Sequence, residues 1–279
     1  NTEDKTSRNR PMSRIYESDS QNTTASEKEV AQFEALADQW WDAKGDFAPL
    51  HKINPVRLAF IRDHLCAYFD RDFKQKRSLK NLSIIDIGCG GGLICEPLTR
   101  LGAQVTGIDA GEQNINVAKL HANQSSLDII YRKLLPEDAV AERLSFDVVL
   151  NLEVIEHVAD PAAFMSACGT LVKSGGAIVC ATLNRTLKSF ALAKIGAEYI
   201  LRWLPRGTHD WRTFLKPSEL CTLLRREGFT ISDLKGITYN LFFDEWSLTK
   251  DLAVNYLIFA KKPVFSHVRD NSDQLKPAN

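Results

Sequence analysis

Along residues 84–93 the chain reads I-I-D-I-G-C-G-G-G-L, an apolar, β-branched run with one acid that passes into four glycines within five positions. Residues 96–101 then take a helical pattern, so this stretch predicts strand, tight turn and helix. A second apolar run, residues 105–108, ends in Asp109 and leads to a helix over 113–124 and a short strand at 129–131. F-D-V-V-L at 146–150 is apolar enough for a strand buried on both faces, and Gly175 and Gly176 precede another strand at 177–182. Strands alternating with helices at this rhythm predict an α/β fold, a parallel sheet with helices on both faces and its ligand at the carboxyl ends of the strands.

Other segments surround that core. Residues 26–41 place Val30, Phe33, Leu36, Ala37 and Trp40 at helical spacing behind a cap at Ser26, so they predict an amphipathic helix. Trp40 and Trp41 read either as core aromatics or as the lining of a substrate entrance. A helix over 55–69 opens on Pro55, a residue suited to a first turn, and carries Arg57 as a solvated charge or an anion ligand. The acidic turn at Pro136, Glu137 and Asp138 reads as a solvated loop or a nucleoside contact. Toward the end, a helix at 217–226 stops at Gly228, and strands at 231–239 and 254–260, joined by an irregular loop, predict an antiparallel hairpin closing the sheet edge. Between the strand ending near Thr182 and the helix at 217–226, residues 188–204 set Lys194, Glu198 and Arg202 on one helical face and Leu192, Ile195, Tyr199, Ile200 and Trp203 on the rest, the pattern of a lid or of a helix lying on a bilayer surface.

Residues 1–26 are polar with few large apolar side chains, and cannot bury enough surface to order themselves. The first residue is Asn1, which fits either a removed targeting peptide or a trimmed terminus. The expected organisation is therefore a polar segment at 1–26, one folded domain at 27–262 with an insertion at 183–212, and a polar tail at 263–279. Thirty-five basic and 35 acidic residues give zero formal charge, so no global field draws in nucleic acid. Six cysteines without C-x-x-C or metal-ligand spacing suit reduced thiols rather than disulfides. No apolar run approaches the roughly 20 residues that cross a bilayer, which leaves a soluble or peripheral protein.

The chemistry gathers at the predicted strand ends. Glycines at 88, 90, 91 and 92 permit positive φ and close approach of a ligand to the backbone. A dinucleotide fingerprint needs a third glycine where Leu93 stands. Asp109 follows at about the separation that lets an acid reach ribose hydroxyls. The pattern fits S-adenosyl-L-methionine at least as well as NAD. Past the 146–150 strand, Glu153, Glu156 and His157 would gather on one side of a helical turn, as a Mg²⁺ or Mn²⁺ site or as a surface helix start with His157 as a general base.

I-D-I-G-C-G-G-G at 85–92, E-V-I-E-H-V at 153–158, T-L-N-R-T at 182–186, G-A-E-Y-I-L-R at 196–202 and G-T-H-D-W at 207–211 together resemble the ubiquinone-biosynthesis O-methyltransferases. The likeness covers residues 29–262. It implies a Rossmann-like class I methyltransferase with a mostly parallel seven-stranded sheet, acting on catechol hydroxyls of polyprenylated ubiquinone precursors, a polyprenyl-dihydroxybenzoate and a demethylubiquinol. Carried over by position, Arg57, Gly88, Asp109 and Leu152 would hold S-adenosyl-L-methionine, and Glu153, Glu156 and His157 would hold Mg²⁺. His157 with Glu156 is the candidate catalytic pair. Lys133 and Leu134 are less acidic than the family's adenine contact. The resemblance also implies peripheral membrane contact, other quinone-biosynthesis proteins as partners, and a place on the matrix side of the mitochondrial inner membrane or at the bacterial inner membrane. A rival reading is a non-catalytic, membrane-associated subunit that binds S-adenosyl-L-methionine; another is an O-methyltransferase of a different catechol.

Overall fold

A computed structural model of the chain describes residues 38–189, 211–240 and 243–264. Residues 26–37 of the helix predicted over 26–41, most of the 183–212 insertion and nearly all of the 263–279 tail lie outside the described residues. One mixed sheet of eight strands forms the centre: β1 (Ser83–Ile87), β2 (Gln104–Asp109), β3 (Ile130–Lys133), β4 (Phe146–Leu152), β5 (Val172–Leu183), β6 (Thr230–Asn240), β7 (Glu245–Thr249) and β8 (Asn255–Lys261). Their spatial order is β3-β2-β1-β4-β5-β8-β6-β7. The pairs among the first five are parallel, and β8 joins β5 and β6 antiparallel.

The sheet therefore has one strand more than expected. The loop predicted between the last two strands contains β7, which pairs with β6 from Gly236↔Thr249 to Asn240↔Glu245. Its residues are mostly exposed, as befits an edge strand, so they lack the apolar run that marks a buried one.

Helices α1 (Ala48–Tyr68), α2 (Cys95–Arg100), α3 (Glu112–Gln124), α4 (Pro136–Ala141), α5 (Pro161–Leu171) and α6 (Pro217–Arg226) alternate with the strands. Two cores result: Phe60, Ile61 and Leu65 of α1 meet Ile84, Leu150 and Phe259 on one face, while Phe164 and Met165 of α5 and Leu220 and Leu224 of α6 meet Ile85, Val149 and Ile258 on the other. From Val148 onward, successive positions of β4 feed opposite cores, Val148 and Leu150 the first and Val149 the second, the period-2 signature of a sheet buried on both sides. Helix α1 begins seven residues before the predicted start because Pro49, not Pro55, takes the first-turn position. Pro55 sits inside the helix. The predicted acidic loop at 136–138 is the first turn of α4, where Glu137 and Asp138 complement the helix dipole. Strand order reverses between β1 and β4, and the crevice outside their carboxyl ends is where open α/β sheets bind ligands.

Candidate active site

The turn after β1 is built to hold its own shape. Four of its amides are already engaged: Gly88 N and Cys89 N both donate to Ile108 O, Gly92 N donates to Cys89 O, and Gly90 N donates to Asp109 Oδ2 at 3.0 Å. Asp109 also accepts from Gly111 N at 2.7 Å and Asn114 Nδ2 at 3.1 Å through Oδ1. A pyrophosphate would need free turn amides, whereas a nucleoside without phosphate needs only an acceptor for its ribose, and Asp109 Oδ2 keeps that capacity. The turn thus fits S-adenosyl-L-methionine.

The space beside each glycine is filled by protein rather than left for a ligand. A Cβ on Gly88 would overlap Val154, and one on Gly92 would overlap the hydroxyl of Tyr131. On Gly90 it would lie 2.5 Å from Cη2 of Trp40, and on Gly91 2.7 Å from Cδ2 of the same ring. The positive φ expected of the turn is present at Gly88, Gly90 and Gly92. Beneath it, Asp86 is fully buried and accepts from Cys95 Sγ at 3.3 Å; burial raises its carboxyl to about 7. All six cysteines are buried and free.

A chain of contacts ties the four predicted donor residues together. Arg57, buried on α1, pairs through Nη2 with Glu153 Oε1. Glu153 follows Leu152 directly, and Val154 packs on Gly88. Gly88 in turn bonds Ile108 beside Asp109. Arg57 Nε makes no hydrogen bond among the described residues, which suits a guanidinium that takes a second carboxylate. Near the predicted adenine side, Leu134 N donates to Asp109 O at 3.1 Å, while Lys133 turns to Glu112 at 3.0 Å.

The predicted metal cluster is not assembled. Among the described residues no three His, Cys, Asp or Glu side chains are grouped to hold a metal ion. Two features cause this. Glu153 stands at φ +58° with its carboxylate on Arg57, and Ile155–His157 is a 3₁₀ turn rather than an α-helix. Successive residues of a three-fold turn point in different directions, so Glu156 is buried and His157 exposed. Burial, and next the charge of Glu153, push the Glu156 carboxyl well above the usual range, toward the neutral form. Glu153, Glu156 and His157 as placed do not fit Mg²⁺, and no hydrogen bond of good geometry joins Glu156 to His157 as an orienting partner.

Sequence reasoning missed Trp40 as the neighbour of Gly90 and Gly91, and Val154 as that of Gly88. Glycines at fixed positions signal close approach but do not say of what.

A family model described as a methyltransferase domain matches residues 57–234. The ubiquinone biosynthesis O-methyltransferase of Bartonella quintana is 52% identical over 241 residues, covering 86% of this chain and 98% of that protein. The namesake from Dinoroseobacter shibae is also 52% identical, over 86% of this chain and 97% of its own. Among solved structures, magnesium protoporphyrin IX methyltransferase from Synechocystis PCC 6803 with bound SAH superposes with a TM-score of 0.56 at 20% identity, over 83% of this chain and 94% of that one. That likeness shows a shared methyltransferase fold, including the mixed sheet with antiparallel edge strands. With half of its residues matched across nearly the whole length of these relatives, this chain belongs to the ubiquinone biosynthesis O-methyltransferases, within the S-adenosylmethionine-dependent methyltransferases.

Proposed function

We propose that this enzyme methylates catechol hydroxyls of polyprenylated ubiquinone precursors, a dihydroxybenzoate and a demethylubiquinol, using S-adenosyl-L-methionine. The observation that carries the reading is the contact chain from Asp109 through Gly88 and Val154 to Glu153 and Arg57 at the reversal of strand order. Asp109 holds the ribose hydroxyls, Arg57 the amino-acid carboxylate, and Leu152 with Gly88 the wall between them. The bound donor supplies an electrophilic methyl on a sulfonium. His157, exposed where β4 ends, accepts the proton of the attacking hydroxyl; the methyl passes to that oxygen and leaves a neutral thioether. Since the Glu153, Glu156 and His157 geometry does not suit a divalent ion, the residues named here act without one in this account. Much of the rate enhancement in such a transfer comes from alignment of nucleophile and methyl.

A polyprenyl acceptor resides in lipid, which supports peripheral contact with the membrane, at the matrix face of the mitochondrial inner membrane or the bacterial inner membrane, and exchange with other quinone-biosynthesis proteins. No helix among the described residues is long and apolar enough to cross a bilayer. The test is turnover by purified protein with short-chain benzoate and quinol acceptors in parallel. Methylation of both supports the reading. Donor binding without transfer to either would leave a non-catalytic donor-binding subunit.

A further inference from the structure

Residues 38–51 run across the glycine turn, and their contacts are unusually specific for a segment ahead of the sheet. The Trp40 indole is sandwiched. One face lies on Gly90 and Gly91, so that a single added carbon at either would collide with it; the other stacks on Phe47 with centroids 4.0 Å apart and planes 14° from parallel. Trp41 Nε1 donates to Gly91 O at 3.2 Å. Its ring stacks on His121 of α3 at 3.6 Å and 3°, and His121 Nδ1 bonds Glu96 of α2 at 2.6 Å. His51 Nε2 donates to Trp40 O at 2.9 Å, closing the segment on itself at the first turn of α1.

This strap therefore joins three things: the turn after β1, the two helices that follow β1 and β2, and α1. Helix α1 is the element that carries Arg57. A donor lying between Asp109 and Arg57 is held at one end by the turn that Trp40 clamps and at the other by the helix in which the strap ends. Two conformationally stiff aromatic rings cover a large area at low entropic cost, which suits a clamp. The glycines at 90 and 91 acquire a second reason: they admit the indole.

We propose that Trp40 and Trp41 are positioning residues for the methyl donor, closing the strap over the glycine turn and setting how fast donor and demethylated product leave. The proposal rests on the donor assignment above and reaches beyond it, because no motif placed either tryptophan in the donor site. Opening the strap separates Trp40 from Gly90 and Gly91 and loosens Arg57 relative to Asp109, so loss of the clamp acts on release and not on the methyl transfer itself.

The experiment uses the full chain and measures S-adenosylhomocysteine release by stopped flow, with KM for S-adenosylmethionine, kcat and melting temperature for wild type, Trp40→Ala, Trp40→Phe and Trp41→Phe. Affinity changes within one site reside mostly in the dissociation rate, so Trp40→Ala should speed release about tenfold and raise the donor KM by a similar factor, with kcat at saturating donor changing far less. Trp40→Phe, which keeps a ring on the glycines, should restore release to within about threefold of wild type. Trp41→Phe keeps the stack on His121 and removes only the bond to Gly91 O, so about a threefold faster release is expected. Release within twofold of wild type in both a folded Trp40→Ala and Trp41→Phe overturns the clamp, as does tighter donor binding in Trp40→Ala, which would make the ring an obstruction. If Trp40→Ala fails to fold, Trp41→Phe alone decides. Wild type that binds no donor defeats the donor assignment and the clamp with it; wild type that binds while the variants match it defeats the clamp alone.

Discussion

Replacing Asp109 by Ala removes a carboxylate that does two jobs. It accepts Gly90 N at 3.0 Å, Gly111 N at 2.7 Å and Asn114 Nδ2 at 3.1 Å, so it shapes the glycine turn and the start of α3 before any ligand arrives. A hydrogen bond to a charged group contributes about 1.5–3 kcal/mol, but the three share one carboxylate, and Asp109 is only half-buried, so water recovers part of the loss. The expected drop in stability is about 2–3 kcal/mol, which a domain of this size tolerates. Losing the ribose contact should cost a further ~1–3 kcal/mol of donor binding, or about 5- to 150-fold in Kd. Asp109→Asn keeps one acceptor oxygen but turns an amide group toward one set of donors, and should fall between. Isothermal titration with S-adenosylmethionine and S-adenosylhomocysteine, alongside denaturant unfolding, separates the two effects. Wild-type affinity in a folded Asp109→Ala protein would remove Asp109 from the site; loss of affinity together with loss of the folded baseline would show that the carboxylate serves the turn alone.

Gly90→Ala places a side chain at φ +52° and pushes it toward Trp40, so stability should fall by about 1–3 kcal/mol, read as a lower melting temperature. Arg57→Met leaves Glu153 without its cation; breaking a buried pair costs about 3–5 kcal/mol, and since the Glu153 side chain keeps 22% exposure the lower end is expected, with donor KM rising in steady-state assays. Asp86 has its folded carboxyl raised from 3.8 to about 7, so its stabilising neutral form is fully present below pH 4 and is lost as pH climbs to 7. Between pH 5 and pH 8 wild type should lose about 2–3 kcal/mol that Asp86→Asn retains, and parallel urea curves for the two proteins would refute this.

The parts of the fold that could be read from the chain are those whose burial leaves a pattern. β1, β2 and β4 are apolar runs because both faces of the sheet are covered, and Asp109 stood out because a lone acid ends such a run. β7 left no pattern because an edge strand with exposed residues can use almost any side chain. The metal cluster failed for a backbone reason. Spacing of three and four gathers side chains only in an α-helix, and a positive φ at Glu153 followed by a 3₁₀ turn scatters them, a conformation that composition does not announce. The residue pattern leaves Arg57 open between a solvated charge and an anion ligand, since its pairing with Glu153 across 96 residues carries no local signal.

The place of β8 bears on how the molecule is made. Residues 255–261 are hydrogen-bonded between β5 and β6, along Ala177↔Lys261 to Leu183↔Asn255 on one side and Thr230↔Lys261 to Ile237↔Asn255 on the other. During synthesis the donor-binding half, β1 to β4, is complete more than 100 residues before β8 leaves the ribosome. Until then β5 has an open edge of apolar residues, a template for pairing with another nascent chain. A premature stop between Leu183 and Asn255 would spare every residue assigned to the donor and still yield a chain prone to associate through that edge. Damage to this gene near its end should therefore be lost as aggregate or degraded protein, and not as an enzyme with altered kinetics.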